Sequence, residues 1–239
     1  MHAIYSLVLH FAMRLNLSSS APHIHPAFDW NPDVGTDELV MYRNPEFRVE
    51  GGLRECKRGK RSFKFVEDEL WLVMHGFAQF RRDSGEVIDA EPYVAVHFKE
   101  GWTGEAEIGE DMRMSYMRCL GEPGEITPVL RDVANVGPLA DWGAVSTRII
   151  GISEKYGIQM SRAVAPRRAE TGIWSCTPGT WRCEVKSDEF CHFLAGNSLY
   201  TNDNGEQIEI VPDTLAFFPA GWKGICEVRE TVRKVYMIR

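Results

Sequence analysis

The residues whose types could support chemistry are concentrated between positions 172 and 236. Four of the six cysteines lie there, at 176, 183, 191 and 226, together with Trp181, Glu189 and Tyr236. A thiolate is a nucleophile and a ligand for soft metals. A buried carboxylate has a raised pKa and can act as a general base or bind a cation. Buried cysteines are also small core hydrophobes, so residue types alone leave these chemistries open.

The common sequence motifs of nucleophilic and metal-dependent enzymes are missing from the sequence. No Cys-x-x-Cys pair, P-loop, Gly-x-Ser-x-Gly, His-Glu-x-x-His or Gly-x-Gly-x-x-Gly occurs. The sequence therefore gives no motif-based evidence for a zinc site, a nucleotide-binding site or a hydrolase active site. His23-x-His25 has the spacing of a metal pair on one strand face, but the surrounding Ser/Pro-rich stretch favours an arm without a site. The cysteines form no regular framework, so we predict reduced thiols in a cytoplasmic protein.

The elements that would position these residues are short β-strands. Runs of five to eight residues alternate with turn residues such as Cys-Thr-Pro-Gly, Asn-Asp-Asn-Gly and Pro-Ala-Gly, a pattern typical of an all-β sandwich or barrel. Residues 70–74 and 190–194 are continuous apolar runs, which predicts strands covered on both faces. The alternation around Phe63 and Phe65, and around Trp181 and Cys183, predicts that the odd positions face inward.

The stretch 172–239 repeats residues 52–119 at a constant shift of 120 positions. Twenty of the 68 paired positions are identical, where ordinary composition would give roughly four. The chain is therefore a tandem duplication of one β domain. We predict an arm and lead-in at 1–46, a first barrel at 47–119, a connector with lead-in strands at 120–171 and a second barrel at 172–239. Thr127-Pro128 predicts a short helix over the residues that follow.

Charge and hydropathy restrict the partners. The net charge of −7 and the absence of a basic stripe argue against nucleic-acid binding. No apolar run of membrane-spanning length occurs, although residues 1–16 carry a run of about ten apolar residues that could be a signal or an arm docked on a barrel. We expect a small-molecule partner, no nucleic acid, no membrane, and a monomer or homodimer.

Four motifs of the second repeat resemble the third cupin family: Trp-x-Cys-x-Pro-Gly-x-Trp from 174, Asp-Glu-x-Cys-x-x-Leu-x-Gly from 188, Pro-Ala-Gly-Trp-x-Gly from 219 and Val-Arg-Lys-Val-Tyr from 232. That family is similar to the ethanolamine-utilisation and ureidoglycine-aminohydrolase cupins. The resemblance implies two tandem double-stranded β-helix barrels of the RmlC-like jelly-roll type, a bicupin. The first repeat is a degenerate copy, with Arg54, Arg61 and Lys99 at the positions of Trp174, Trp181 and Pro219.

The resemblance also implies where a metal would bind. A typical cupin supplies three histidines and one glutamate, a set that suits a first-row divalent metal. Here the first motif becomes Cys183-x-Val185-xxx-Glu189, and Gly224 stands where the last histidine belongs. In the first repeat the equivalents are Phe63, Phe65, Glu69 and Gly104. Only the glutamate is kept, so we expect no cofactor.

The pocket implied for the second repeat contains Glu189 with Trp181, Cys183, Cys191, Cys226 and Tyr236. Three interpretations are open. The thiols are core hydrophobes and Glu189 hydrogen-bonds to Trp181, Tyr236 or water; or Cys183, Glu189, Cys191 and Cys226 form a soft-metal or reactive-thiol site; or Glu189 is a base or a cation anchor, with Trp181 as a cation–π wall. His192 has the opposite parity to Glu189, and His97 could approach Glu69 or be structural.

The preferred function is binding of a small polar or cationic metabolite in the second barrel, with Glu189 as anchor. One alternative is a hydrolase or isomerase like the ureidoglycine cupins, in which Glu189 and Tyr236 transfer protons. The other is a structural protein with two filled barrels. We expect Phe63, Phe65 and Arg61 to crowd the first barrel, so that ligands enter the second.

Overall fold

The computed structural model describes residues 13–16, 36–44, 48–119, 129–161 and 169–239. His23 and His25, Thr127 and Pro128, and residues 1–12 lie outside these ranges. The described residues contain no helix. They form eighteen strands in two sheets, which confirms the predicted all-β fold with two jelly-roll barrels.

We call the eight-stranded sheet the first barrel. Its strands are β2 (Thr36–Asn44), β3 (Val49–Cys56), β4 (Gly59–Lys64), β5 (Asp68–Arg81), β6 (Val87–Ala90), β7 (Val94–Phe98), β8 (Thr103–Cys119) and β9 (Val129–Asp132). The order is β2-β3-β8-β5-β7-β9, with β4 paired to β8 and β6 to β5. The helix predicted after Thr127-Pro128 is wrong: residues 129–132 form β9, which pairs with β7, because the sheet edge satisfies their backbone groups.

We call the ten-stranded sheet the second barrel. Its strands are β1 (Met13–Asn16), β10 (Ala140–Ala144), β11 (Arg148–Ile150), β12 (Glu154–Ser161), β13 (Glu170–Cys176), β14 (Gly179–Glu184), β15 (Glu189–Asn202), β16 (Gln207–Ile210), β17 (Thr214–Phe218) and β18 (Lys223–Ile238). The order is β1-β17-β15-β18-β13-β12-β10, with β14 paired to β18 and β11, and β16 to β15. Strand β1 pairs antiparallel with β17, so residues 13–16 add an edge strand to the second sheet.

The duplication is visible strand by strand. The central order β7-β5-β8-β3 of the first barrel recurs as β17-β15-β18-β13 in the second, with β4 and β6 matched by β14 and β16. This confirms that the repeats share one strand order. Gly76 and Gly196 have φ of 73° and 89° at equivalent irregularities of β5 and β15. A Cβ there would lie 2.3 Å from the Asp111 carbonyl oxygen and 2.4 Å from that of Thr231, so both sites require glycine.

The alternating pattern places the cores as predicted. Phe65 is buried between exposed neighbours at 64 and 66, and Trp181 is buried next to exposed Arg182. The apolar strand segments at 70–73 and 190–193 are buried throughout.

Contacts between Cα atoms divide the chain into two compact units. Among the described residues, one comprises 13–16, 138–159 and 172–239, and the other comprises 36–44, 48–119, 129–137, 160–161 and 169–171. The units therefore take in strands from the predicted arm and connector: β2 and β9 join the first barrel, and β1 and β10–β12 join the sheet of the second.

Candidate functional site

A buried lysine, which the sequence analysis did not select, lies at the centre of the polar group in the second barrel. Lys234 on β18 is 7% exposed. Its Nζ donates to Glu189 Oε1 at 2.7 Å and to Cys191 Sγ at 3.2 Å. The same ammonium lies 4.9 Å from the centroid of the Trp174 ring, a cation–π distance. Glu189 is therefore already paired with a cation supplied by the protein.

Electrostatics favour a charged lysine beside a neutral thiol. Burial by itself lowers the pKa of Lys234, but the Glu189 carboxylate and the hydrogen bonds to Glu189 and Cys191 outweigh burial and raise that pKa above its ordinary value. Burial raises the pKa of the Cys191 thiol, and Glu189 adds to the increase. At neutral pH Lys234 is therefore an ammonium and Cys191 an uncharged thiol.

Cys183 and Cys226 form a second polar contact on the same inner face. Trp181 pairs with Cys226, and Cys183 with Gly224, so the two cysteines lie diagonally across β14 and β18. The hydrogen bond with Cys226 lowers the pKa of Cys183 against the opposing effect of burial, whereas burial raises that of Cys226. Cys183 is only partly buried and is therefore the more reactive thiol of the pair.

The soft-metal interpretation concerns Cys183, Glu189, Cys191 and Cys226. Within the described ranges, no group of three or more His, Cys, Asp or Glu side chains is placed to hold a metal ion. All six cysteines are free thiols.

The predicted pocket residues do come together in one core cluster. Trp181, Cys191, Cys226 and Tyr236 are buried in it, and Cys183 packs against it. Tyr236 pairs directly with Cys191 across β15 and β18. The ring beside the Lys234 ammonium is that of Trp174 on β13, and Trp181 as a cation–π wall for a bound amine stays a prediction.

Lys234 carried a signal in the sequence that was not used. It lies two positions before Tyr236 and so shares its inward face, and the first repeat has Met114 at the equivalent position. A charged residue that replaces an apolar one at a core position requires a buried partner.

The first barrel holds a corresponding pair whose cation comes from another strand. Arg54 on β3 is buried. It donates through Nη1 to Glu69, and through Nε and Nη2 to Glu38. Its guanidinium lies 5.1 Å from the Trp71 ring and 4.9 Å from the Tyr116 ring. Burial opposes the charge, but Glu69 and Glu38 outweigh it and raise the pKa of Arg54.

The interior of the first barrel is filled by aromatic rings, as predicted for Phe63 and Phe65. The cluster consists of Phe63, Phe65, Trp71, Phe80, Phe98 and Trp102, with centroid separations between 4.2 and 6.1 Å. The indole Nε1 of Trp71 donates to Glu69. Arg61 donates to the Lys57 carbonyl at 3.4 Å.

Neither candidate histidine joins these groups. His97 is fully buried with Nε2 3.3 Å from Asp68 Oδ2, and its Nδ1 lies 3.4 Å from Thr171 Oγ1. It therefore pairs with Asp68 rather than Glu69. His192 is buried with Nε2 3.5 Å from Asp213, which agrees with its predicted orientation away from Glu189.

Comparison with known proteins supports the fold. Residues 165–236 match the profile of the EutQ-like cupin domain family. No curated protein sequence matches the chain significantly.

Several solved structures are similar over nearly the whole chain. A protein of unknown function of the DUF861 family from Pseudomonas syringae pv. tomato has a TM-score of 0.78 and 13% identity, over 96% of this chain and 100% of that one. Protein Ylba of the same family from E. coli has a TM-score of 0.61 and 13% identity, over 96% and 91%. An oxalate decarboxylase variant from Bacillus subtilis has 0.56 and 10%, over 95% and 76%. At these identities the similarity establishes the fold alone.

Proposed function

We propose that the protein is a cytoplasmic bicupin of the third cupin family that binds a small polar metabolite in its second barrel without a metal. The observation that carries the proposal is the Glu189–Lys234 pair. Lys234 donates to Oε1 of the carboxylate, and the Glu189 side chain is 20% exposed. The pair can therefore offer both an acceptor and a donor to a ligand.

The pair also narrows the class of ligand. A purely cationic ligand would have to compete with the Lys234 ammonium for the Glu189 carboxylate, and it would meet like-charge repulsion. A ligand that carries an adjacent donor and acceptor, such as an amide, a ureide, an amino acid or a hydroxy acid, complements both charges. We therefore favour a neutral or zwitterionic polar metabolite over the cationic one expected from the sequence.

Smaller side chains favour the second barrel as the binding chamber. Cys183, Val185 and Cys191 stand where the first barrel has Phe63, Phe65 and Trp71. Three ring systems are thus replaced by two thiols and an isopropyl group. The loss of side-chain volume is partly offset, because the second barrel has Phe193 in place of Val73 and Cys226 in place of Ala106.

We expect binding without a metal because each barrel offers few side chains that could act as metal ligands. Each barrel has one glutamate at the motif position where cupin metal sites supply four groups, and divalent ions need several oxygen or imidazole ligands at once. We expect elemental analysis of protein purified from its own host to find less than one iron or manganese per chain.

The test is native mass spectrometry of the same preparation. We expect a bound small molecule in the wild type and in Cys183→Ser, which keeps the size of the side chain. Cys183→Phe restores the ring of the first barrel and should remove the bound molecule. A wild-type protein without bound solute, or retention in Cys183→Phe at the wild-type level, contradicts the proposal. Turnover of the identified solute would instead favour the enzyme alternative with Glu189 and Tyr236.

A further inference from the structure

Two of the six cysteines are shared by both copies of the duplication and have a structural role. Cys56 and Cys176 occupy equivalent positions and are both buried. Burial raises the pKa of each of these thiols to about 11. Buried thiols of this kind are inert and pack as small apolar side chains. They provide a reference for the cysteines that only one copy contains.

Cys183 and Cys226 belong to the second copy alone, because the first copy has Phe63 and Ala106 at these positions. Both side chains face the interior of the second barrel: Cys226 is buried in its core cluster, and Cys183 packs against that cluster. The register of β14 and β18 makes the two cysteines diagonal neighbours on this face. The second copy therefore has a pair of thiols where the first has a ring and a methyl group.

The two thiols differ in access and in acidity. The hydrogen bond with Cys226 lowers the pKa of Cys183, against the effects of burial and of Glu189. Burial raises the pKa of Cys226, and Cys183 adds to the increase. Cys183 is partly exposed, whereas Cys226 is fully buried. Oxidation-sensitive cysteines are accessible, have an acidic thiol and lie next to a second cysteine that resolves the first product. The pair meets all three conditions.

The position of the pair favours a bond that forms and breaks reversibly. The shared hydrogen bond brings the two sulfur atoms into contact. Diagonal neighbours on adjacent strands have Cα atoms about 7–8 Å apart, whereas a relaxed disulfide needs about 4.4–6.8 Å. A bond between them therefore requires a small shift of β14 relative to β18, and disulfides formed under such strain are readily reduced.

The surroundings of β14 permit this shift. Its neighbour on the side away from β18 is β11, which has three residues and an irregular register with β14. Few backbone hydrogen bonds therefore hold β14 on that side.

We propose that Cys183 and Cys226 form a redox-active dithiol that is oxidised by hydrogen peroxide and closes to a reversible disulfide. The Cys183 thiolate attacks one peroxide oxygen, so that an S–O bond forms, the O–O bond breaks and the departing hydroxide takes up a proton as water. Cys226 then attacks the sulfenic sulfur of Cys183. The S–S bond forms, the S–O bond breaks, and the hydroxide leaves as water with the proton of the Cys226 thiol. Two thiols are thus oxidised to a disulfide while one peroxide is reduced to two molecules of water.

The test is peptide mapping of the full chain after exposure to hydrogen peroxide. The remaining thiols are alkylated under denaturing conditions, and the chain is digested with trypsin. Because trypsin cuts after lysine and arginine, residues 183–186 and 224–229 become separate peptides. We expect a disulfide to join these two peptides and dithiothreitol to release them. Absence of the linked pair, or a bond from Cys183 to Cys191 in its place, overturns the proposal.

The internal control is Cys176, whose tryptic peptide, residues 169–182, comes from the same digest. The pKa of its thiol is about 11, so at neutral pH this residue has at least about tenfold less thiolate than Cys183. We expect Cys176 to be oxidised more slowly by about the same factor. Equal rates at the two positions would show general thiol oxidation and contradict a specific dithiol.

Two variants assign the roles of the thiols. Cys226→Ala introduces the residue of the first barrel, Ala106, and should leave Cys183 as a sulfenic acid that dimedone traps. Cys183→Ser should leave Cys226 unmodified, because that thiol is fully buried. Trapping at Cys226 in Cys183→Ser, or none at Cys183 in Cys226→Ala, overturns the assignment. None of these measurements involves a bound solute, so this proposal and the one for solute binding can fail independently.

Discussion

The two barrels place a carboxylate at the same position but stabilise it with cations from different strands. In the first barrel Glu69 receives Arg54 from β3, and in the second Glu189 receives Lys234 from β18. Each barrel has an uncharged residue where the other has its cation: Trp174 corresponds to Arg54, and Met114 to Lys234. The physical requirement conserved between the copies is a counter-charge for the glutamate, not the residue that supplies it.

The environments of the two pairs differ in ways that matter for function. Arg54 binds two carboxylates and is enclosed by two rings, and the Glu69 side chain is 7% exposed. Lys234 binds one carboxylate, whose side chain is 20% exposed. The first pair is therefore satisfied internally, whereas the carboxylate of the second pair is partly accessible to another partner. Four predictions test this contrast, beginning with the largest expected effect.

Arg54→Met should be the most destabilising change. It leaves the buried Glu69 without its cation and Glu38 with Arg118 alone, and breaking a buried pair by removing one partner costs about 3–5 kcal/mol. Chemical denaturation should show this loss in the free energy of unfolding. The control is Arg61→Met, which removes an arginine that donates to the exposed Lys57 carbonyl and should cost less than about 1 kcal/mol. Equal losses in the two variants would show that the buried pair has no special role.

Lys234→Met introduces the residue that the first barrel has at this position, Met114. It should cause the next largest loss in the free energy of unfolding, at about 1–3 kcal/mol. Only one carboxylate loses its cation, and that carboxylate is partly hydrated. Adding Trp174→Arg to this variant rebuilds the charge arrangement of the first barrel. The double variant should recover at least part of the lost stability in the same denaturation assay. A double variant with the summed losses of both single changes would refute the idea that the cation positions are interchangeable.

Glu189→Gln should weaken retention of the solute in the second barrel by about 1–3 kcal/mol, the value of a charge-assisted hydrogen bond. Because Lys234 also loses its counter-charge, stability alone cannot distinguish an anchor from a structural residue. The fraction of chains with bound solute in native mass spectrometry is the deciding measurement. Glu69→Gln is the matched control and should leave that fraction unchanged. The anchor role is excluded if both variants retain solute equally.

The smallest effect is a pH dependence that only the first barrel should show. Burial lowers the pKa of His97 from its ordinary value of 6.5, although Asp68 opposes the shift. The unfolded chain therefore takes up a proton near pH 6.5 that the folded chain does not, so the free energy of unfolding falls as pH drops below that value. Between pH 7 and 5 we expect a loss of about 1–2 kcal/mol.

His97→Gln should flatten this part of the stability curve, because glutamine does not titrate. The exposed His75, replaced in the same way, serves as the control and should leave the slope as in the wild type. The second barrel has Phe217 at the position of His97, so no equivalent contribution arises there. A wild-type slope that persists in His97→Gln would assign the proton uptake to another group.

The fold and the duplication could be derived from the sequence because they depend on local signals. Turn residues mark the corners, alternation marks the inward face around Phe63 and Trp181, and a constant shift of 120 positions relates the copies. These signals act over a few residues or recur as a whole, so one sequence contains them. The helix predicted after Pro128 failed because its local signals could not reveal the open edge of β7.

The grouping of Trp181, Cys183, Cys191, Cys226 and Tyr236 also followed from strand parity, because residues of like parity share one face of a sheet. Strand pairing, in contrast, decided which charges meet. Lys234 reaches Glu189 only because β15 and β18 are neighbours, and Arg54 reaches Glu69 only because β3 and β5 flank β8.

A cleft of the first barrel that is lined by seven Lys and Arg side chains is also a tertiary feature. Two of its lining residues, Lys60 and Arg118, are 58 positions apart in the chain and come together only because β4 and the end of β8 fold against the same cleft. Sequence by itself determined a duplicated β-barrel with one glutamate at each motif position. The tertiary structure decided how each glutamate is neutralised and where positive charge accumulates, because electrostatic interactions depend on distance through space rather than on separation along the chain.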